Sequence, residues 1–245
     1  PQACNCWVGQ TAMARTLTNA LASGCLAQAY TLTGLRGIGK CTTARLIARA
    51  LNYPAGASVE MPELTAQCEA ILESRHMDVI EMDAASNTGV DNMREIIDQV
   101  RYAPVQARTK VYIIDEVHML SKSAFNALLK TLEEPPPHVK FIFATTEIRK
   151  VPVTILSRCQ RFDLRRLDVA TLQKHYAKIC GLEKVAAEDE ALRLISKAAE
   201  GSVRDGLSLL DQAIAYGDGG GQTADVRNVL GRWEKGHMGT LFEAV

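Results

Sequence analysis

Short apolar runs alternate with longer amphipathic stretches over the first two thirds of the chain. The apolar runs have the length of buried strands, which are predicted at 29–33, 77–83, 110–116, 140–146 and 160–164. Apolar strands that alternate with helices are typical of a parallel sheet covered by helices on both faces. The pattern therefore predicts an α/β domain in this part of the chain.

The stretches between these strands carry apolar residues at helical spacing. Helices are predicted over 8–24, 41–52, 91–100 and 122–134. Ser121 is expected to cap the last of these helices and Pro135 to end it. The stretch 53–67 is rich in Pro, Ala, Gly and Glu, and we predict that it is a loop.

Beyond Asp168 the pattern changes to helices alone. Three helical patterns follow, over 168–180, 187–200 and 203–216. A Gly-rich linker is expected over 217–221, and the helical structure that begins at Thr223 is expected to be cut short by the end of the chain. We therefore predict three domains, over 1–166, 167–219 and 220–245.

A glycine-rich turn joins the first predicted strand to the helix that follows it. Residues 34–40 read GLRGIGK, which matches the phosphate-binding pattern G-x-x-x-x-G-K. Gly34, Gly37 and Gly39 allow a tight turn whose N–H groups point inward, and the positive end of the helix dipole adds to this anion site. Lys40 supplies a point charge for the β- and γ-phosphates. The alternative is an ordinary glycine-rich turn, but we predict that this loop binds ATP or ADP.

Cys41 stands where the phosphate-binding pattern normally carries Ser or Thr. The hydroxyl at that position binds Mg²⁺, a hard cation that prefers oxygen, whereas the thiol of Cys41 offers a soft sulfur. Thr42 cannot simply replace it, because successive side chains on a helix point about 100° apart. Cys41 is thus a doubtful magnesium ligand, although both residues remain expected nucleotide contacts.

Carboxylates and hydroxyls follow two of the buried strands, at the edge where parallel sheets bind ligands. Asp115 and Glu116 end the strand predicted over 110–116. Asp115 is suited to hold Mg²⁺ through a water molecule and Glu116 to polarise an attacking water, unless the pair merely caps the next helix. Thr145 and Thr146 end the next strand, where a hydroxyl either senses the γ-phosphate or is a plain strand-end cap.

Two arginines occupy positions that suggest phosphate chemistry. Arg158, in the sequence SRC, is interpreted either as a surface charge or as an arginine finger that reaches a neighbouring subunit's nucleotide. Arg204 lies in the first turn of a predicted helix, where a cation is unfavourable for the helix dipole. That position favours a role in binding a ligand such as phosphate.

The composition is that of a globular protein without a membrane span. The 245-residue chain carries 28 Lys and Arg against 28 Asp and Glu, so no overall basic charge indicates nucleic-acid binding, although a local basic surface remains open. No apolar run reaches the roughly 18 residues of a membrane span, and no signal peptide is visible. The seven cysteines lack paired spacing and are interpreted as reduced thiols of a cytoplasmic protein.

Several motifs occur together in a characteristic order. They are GLRGIGK at 34–40, DAAS at 83–86, IDEVHML at 114–120, FNALLKTLEEPP at 125–136, SRC at 157–159 and GSVRD at 201–205. Together they closely resemble the gamma/tau subunits of the bacterial DNA polymerase III clamp loader, and the resemblance covers nearly the whole chain. The SRC motif and the helix motif after Asp115 are specific to clamp-loader ATPases within the AAA+ class.

The resemblance implies a fold and a set of roles. The fold is a RecA-like AAA+ parallel sheet with strand order 5-1-4-3-2, followed by a helical lid and the start of a helical collar domain. ATP or ADP with Mg²⁺ would bind the loop and Asp115, and Glu116 would be the catalytic base. Further implied roles are a first sensor at Thr145 or Thr146, a finger acting in trans at Arg158 and a second sensor at Arg204.

The resemblance also implies partners and a process. The partners are other gamma/tau copies, the delta and delta-prime subunits, the sliding clamp and primer–template DNA, with no membrane contact. ATP binding would order a ring of subunits that opens the clamp on primed DNA, and hydrolysis would release the closed clamp.

Two departures from the family pattern bear on these expectations. Cys41 puts hydrolysis in question more than nucleotide binding. Tyr53 stands at the first of four cysteine positions that commonly hold zinc, and only Cys68 is present from the other three, so no zinc is expected. The chain is also expected to begin after the segment that encloses adenine and to end inside the collar domain.

Functions of different classes therefore remain in competition. The first is an ATP-driven clamp-loader motor, which Glu116 and Arg158 favour. The second is a ring scaffold that binds nucleotide without hydrolysing it, which Cys41 favours. A branch-migration or helicase-loading ATPase is the third, and the SRC motif argues against it.

Overall fold

The computed structural model describes residues 9–86, 90–217 and 222–231. These residues group into two compact units. The first contains the sheet and ends at Leu164, and the second contains the helices from Arg165 onwards together with the loop residues Leu35–Gly39. Across the described part of the chain, every helix is too short or too polar to cross a lipid bilayer.

Five parallel strands form the sheet of the first unit. They are β1 (Ala29–Thr33), β2 (Val79–Asp83), β3 (Lys110–Asp115), β4 (Val139–Thr145) and β5 (Gln160–Asp163). Their order across the sheet is β2-β3-β4-β1-β5, which confirms the order 5-1-4-3-2 that the resemblance implied. Thr33 lies opposite Thr145, so β1 and β4 end at the same edge.

Apolar residues bury the central strands. β4 is buried along its whole length, and β3 is buried at all but its last residue. Tyr112 stacks on Phe141 with ring centroids 5.5 Å apart, and Phe141 stacks on Phe143 at 5.9 Å. Because the middles of these strands are apolar and aromatic, their charged side chains stand near the strand ends.

Helices connect the strands and cover the sheet. Those described in the first unit are α1 (Thr11–Ser23), α2 (Lys40–Leu51), α3 (Ala66–Leu72), α4 (Val90–Val100), α5 (Lys122–Glu133) and α6 (Val153–Leu156). Ser121 caps α5 as predicted, since its hydroxyl accepts the N–H of Ala124 at 3.2 Å. The prediction of a loop over 53–67 was wrong at its end, because α3 begins at Ala66. Thr65 caps this helix of 7 residues, which is too short to give a clear apolar period.

The second unit consists of helices. They are α7 (Val169–Glu183), α8 (Asp189–Ala198), α9 (Val203–Tyr216) and a further helix, α10, over 223–231. Asp168 caps α7 and Ser202 caps α9 through hydrogen bonds to backbone N–H groups of the first turn, at 2.8 and 3.2 Å. The predicted domain boundaries stay predictions. Of the predicted collar segment, residues 220–221 and 232–245 lie outside the described residues, as do residues 218–219 of the segment before it.

One buried carboxylate holds the loop between α4 and β3. Asp78 has an exposed fraction of 1% and accepts the N–H groups of the three consecutive residues 105–107 at 2.7–2.8 Å. Burial disfavours its charged form, but the three hydrogen bonds outweigh burial and lower the pKa of Asp78. The carboxylate is therefore charged at neutral pH and fixes this loop.

Replacing that carboxylate should destabilise the protein. Asp78→Asn puts an amide where three backbone donors face a charged acceptor, and hydrogen bonds to charged groups contribute about 1.5–3 kcal/mol each. We expect the free energy of unfolding, measured in urea at pH 7, to fall by about 2 kcal/mol or more. Because the pKa is lowered on folding, this contribution is present above the unfolded value of about 4 and is lost as the pH falls through the folded value.

Asp98→Asn is the matched control, since the side chain of Asp98 is 72% exposed on α4. Its urea midpoint should stay close to that of the parent protein. Equal midpoints for Asp78→Asn and Asp98→Asn at pH 7 would contradict the role given to Asp78.

Candidate nucleotide-binding site

Three strands end at the same edge of the sheet. β1 ends at Thr33, β3 at Asp115 and β4 at Thr145, and β4 pairs with both of the others. The loop 34–40 leaves β1 at this edge, and α2 begins at Lys40. The parallel sheet thus brings a helix N-terminus, a carboxylate and a hydroxyl to one place.

The loop 34–40 has a backbone that its glycines allow. Gly37 and Gly39 have φ angles of 76° and 95°, in the region that glycine adopts without strain. The Nζ atom of Lys40 lies 3.1 Å from the carbonyl oxygen of Gly34, and the exposed fraction of Lys40 is 5%. The ammonium group is thus folded back over the start of the loop, where a phosphate would compete with the carbonyl for it.

Cys41 and Asp115 meet where the sequence predicts a magnesium site. The thiol of Cys41 donates to Oδ2 of Asp115 at an S–O distance of 2.7 Å. Burial raises the pKa of this thiol to about 12, with further contributions from the hydrogen bond to Asp115 and from its charge. The thiol is therefore neutral at pH 7. The carboxylate oxygens of Asp115 suit Mg²⁺, whereas the protonated sulfur beside them does not.

Glu116 follows β3 directly and has a left-handed backbone. Its φ and ψ angles are 46° and 43°, which are uncommon for a residue with a side chain. Its N–H donates to Oδ1 of Asp115 at 2.9 Å, and its own Oε2 accepts the N–H and the hydroxyl of Thr146 at 3.2 and 2.9 Å. Thr146 is exposed, whereas Thr145 is fully buried. The two threonines, equivalent by sequence, therefore have different surroundings.

The remaining candidate residues have other neighbours. Arg158 donates to the carbonyl of Thr154 at 2.6 Å and pairs with Glu133 at 2.9 Å. Arg204 lies in the first turn of α9, in the second unit, and Thr42 is exposed in the first turn of α2. The roles predicted for these residues and for the rest of the site stay predictions.

Comparisons with known proteins identify the family. A family model described as "DNA polymerase III, delta subunit" matches residues 9–168, and one described as "DNA polymerase III clamp loader subunit, ATPase lid domain" matches residues 171–219. The chain is 49% identical over 238 residues to DNA polymerase III subunit tau of Escherichia coli, covering 97% of this chain and 37% of that protein. It is 45% identical over 238 residues to the tau subunit of Bacillus subtilis, covering 97% of this chain and 42% of that protein.

The chain belongs to the gamma/tau family of DNA polymerase III clamp-loader subunits. This is an AAA+ ATPase family, and the membership of this chain in it confirms the resemblance seen in the motifs. The chain spans a little over a third of the length of the first relatives, 37% for the tau subunits of Salmonella typhimurium and Escherichia coli. The activity and the partners of the whole gamma/tau protein are therefore matters for proposal.

Solved structures support the fold of this gamma/tau chain. The Holliday junction branch migration motor RuvB of Thermotoga maritima superimposes with a TM-score of 0.71 at 19% identity, covering 94% of this chain and 71% of that chain. At this identity the likeness concerns the AAA+ fold alone.

The stretch where gamma/tau subunits commonly carry zinc is held here by other contacts. The fully buried Arg49 donates to the carbonyls of Met61 and Glu63 at 3.2 and 2.8 Å. The hydroxyl of Tyr53 accepts the N–H of Glu63 at 3.2 Å. Within the described residues, no cluster of three or more His, Cys, Asp or Glu is arranged to hold a metal ion. That the protein binds no zinc stays a prediction.

One side chain at the carboxyl edge was missed by the sequence analysis. His118 brings its Nδ1 to 2.9 Å from the hydroxyl of Thr145 and to 3.3 Å from Oε2 of Glu116. Its place in the IDEVHML motif was visible, but the left-handed turn at Glu116 was not. The only signal in the sequence was that His118 shares this motif with Asp115 and Glu116.

Lys40→Ala should abolish detectable nucleotide binding by the gamma/tau chain. The change removes the point charge that the loop offers to the β- and γ-phosphates. We expect calorimetric titration with ATP to give heat for the parent protein and none above dilution for the variant.

Lys174→Ala, which removes an exposed lysine of α7, is the control and should bind as the parent does. An unchanged ATP affinity in Lys40→Ala would exclude this loop as the site.

Proposed function

We propose that the chain is the ATP-hydrolysing motor of a clamp-loader subunit, which opens the sliding clamp and loads it onto primed DNA. The observation that supports hydrolysis best is the arrangement of Glu116. Its carboxylate stands one residue beyond Asp115, and Thr146 holds one of its oxygens. The competing interpretation, that this pair caps the next helix, has less support, because Ser121 caps α5 and Glu116 makes no capping hydrogen bond.

Each residue at the sheet edge has a role in this proposal. Lys40 and the loop N–H groups bind the β- and γ-phosphates of ATP, and Asp115 would hold Mg²⁺ through water. The ion would neutralise charge on the phosphate oxygens. Glu116 takes a proton from a water molecule while the water oxygen bonds to the γ-phosphorus and the bond from the γ-phosphorus to the bridging β-phosphate oxygen breaks, which leaves ADP and inorganic phosphate. Thr146, which contacts Glu116, is the better candidate for the first sensor.

The proposed partners follow from the family. They are other gamma/tau copies, the delta and delta-prime subunits, the sliding clamp and primer–template DNA, in the cytoplasm. Arg158 would act on the nucleotide of a neighbouring subunit, and its side chain, 35% exposed and paired with Glu133, is accessible for that role. Arg204 would be the second sensor, in a lid over 167–219.

Cys41 favours a second function, a ring scaffold that binds nucleotide without hydrolysing it. Its thiol donates a hydrogen bond to Oδ2 of Asp115, and it supplies no oxygen at the position where the family pattern has a hydroxyl. Lys40 and the loop amides do not depend on this thiol, so binding would survive while metal positioning suffers. The two functions therefore predict different rates of ATP hydrolysis but similar affinities for ATP.

Cys41→Thr should separate the two functions. We expect the parent protein, assembled with its partner subunits, to hydrolyse ATP, and clamp with primed DNA to stimulate it. The hydroxyl should raise the rate about tenfold or more at fixed Mg²⁺, in the range typical of changes around a metal site, and should alter ATP affinity much less. Steady-state phosphate release, with and without clamp and primed DNA, is the measurement.

Cys25→Thr, at an exposed cysteine, is the matched control and should leave the rate unchanged. Hydrolysis by Cys41→Thr but not by the parent protein would favour the scaffold. Equal rates for the two would mean that position 41 is not limiting. No hydrolysis by either would contradict the proposed motor function.

Arg158→Ala should slow hydrolysis only in the assembled complex. An arginine supplied in trans stabilises charge on the transferring phosphoryl group and contributes roughly 10³-fold or more to the rate. We expect the ATP affinity of the isolated subunit to stay the same. Arg161→Ala, which removes an exposed arginine paired with Asp163, is the control. Weaker ATP binding by the isolated Arg158→Ala subunit would instead indicate a contact in cis or a structural role.

A further inference from the structure

His118 occupies a buried position between the two strand ends that carry the candidate catalytic groups. It lies in a 3₁₀ turn over Val117–Met119, directly after Glu116, and its side chain is 6% exposed. A histidine this buried needs polar partners for its ring nitrogens. The partners that it has belong to the proposed hydrolytic site.

The Nδ1 atom of His118 faces two side chains at once. It lies 2.9 Å from the hydroxyl oxygen of Thr145 and 3.3 Å from Oε2 of Glu116. On the other side of the ring, Nε2 lies 3.8 Å from a carboxylate oxygen of Glu147. The close contacts are therefore made by Nδ1, and Nε2 has only a longer one.

Thr145 gives this arrangement a rigid support. It is the last residue of β4, it is fully buried, and its hydroxyl accepts the N–H of Glu147 at 3.0 Å. The oxygen of a hydroxyl has two lone pairs, so it can accept this N–H and the Nδ1–H of His118 together, and Nδ1–H then also faces Oε2 of Glu116 as a donor. The ring of His118 is thus attached to the end of a buried strand and not to a loose loop.

The contacts described for the carboxylate of Glu116 all fall on one oxygen. Oε2 faces Nδ1 of His118 and accepts from both the N–H and the hydroxyl of Thr146. The last torsion of a glutamate is broad, so the carboxylate rotates easily unless its oxygens are held. Holding Oε2 leaves Oε1 to face an attacking water.

We propose that His118 is a positioning residue that fixes the orientation of the Glu116 carboxylate by tying its Oε2 to Thr145 at the end of β4. This inference rests on the proposed function, in which Glu116 is the base. His118 itself does not touch the substrate. Its loss leaves the phosphate loop intact and lets the base rotate, so it lowers kcat and leaves the KM for ATP unchanged.

Two substitutions distinguish positioning by Nδ1 from simple filling of space. The amide of His118→Asn stands at the same branch of the side chain as Nδ1, whereas the amide of His118→Gln reaches the place of Nε2. We expect His118→Gln to lower kcat about tenfold or more, because small misplacements of catalytic groups have effects of this size. His118→Asn, in contrast, should keep most of the parent protein's kcat. Steady-state ATP hydrolysis by the full-length protein in its assembled complex is the measurement.

His138→Asn is the matched control, since the ring of His138 makes its hydrogen bond to the carbonyl of Val100, at 3.2 Å, and not to the candidate catalytic groups. It should keep the kcat of the parent protein. Equal losses in His118→Asn and His118→Gln, a rise in KM, or no change in either variant would each overturn the inference.

A second measurement does not depend on hydrolysis. Long-range ¹H–¹⁵N NMR reports the ring nitrogens of each histidine, and Glu116→Gln should shift Nδ1 of His118 while leaving His138 in place. An unmoved His118 signal would overturn the inference even in an active ATPase. A shifted signal, in a case where the parent protein does not hydrolyse ATP, would support the contact and contradict the motor function.

Discussion

The parallel alignment of β1, β3 and β4 is the constraint on which the rest of the site depends. Strands that are buried cannot carry charged groups in their middles without a large desolvation cost, so their ionisable side chains stand near the ends. The parallel order brings three carboxyl ends to one edge. Lys40 at the start of α2, the carboxylates and the threonines, far apart in sequence, are assembled there.

The contact between Cys41 and Asp115 separates two tasks that the phosphate-binding pattern usually combines. In the proposed function, the N-terminus of α2 and Lys40 bind the phosphates, and neither depends on the side chain at position 41. Metal positioning would depend on it, because Mg²⁺ discriminates strongly between oxygen and sulfur. The side chain of Cys41 lies at the expected place, against Oδ2 of Asp115, but it carries sulfur where the phosphate-binding pattern has a hydroxyl oxygen.

The sequence predicted the strands and most helices because their apolar periods were clear, and the strand order came from the resemblance. Contacts between distant segments could not be predicted from the sequence. The short helix α3 has no period to detect, and its start depends on the cap at Thr65. Thr145 and Thr146 are chemically identical in sequence, and only the end of β4 decides that one is buried. The left-handed turn at Glu116 was equally invisible, and with it the approach of His118.

Glu116 illustrates how a conformation that is uncommon for its residue type is retained. Its positive φ carries a cost of order 1–3 kcal/mol, and such conformations persist where the surroundings enforce them. Here the N–H of Glu116 bonds to Asp115, and its carboxylate bonds to Thr146. The same turn sends the chain into the 3₁₀ segment that carries His118. Strain, orientation and the proposed chemistry therefore coincide at one residue.

The central claim is that this sheet edge binds a metal–nucleotide complex. It is tested most directly by a crystal structure with Mn²⁺ and a non-hydrolysable ATP analogue, because manganese is located by its anomalous signal. We expect an anomalous peak on the Asp115 side of the loop. We also expect that the ammonium of Lys40 has moved from the Gly34 carbonyl to the phosphates and that Oε1 of Glu116 faces the γ-phosphate. Phosphates bound away from Lys40, or a metal peak away from Asp115, would contradict it.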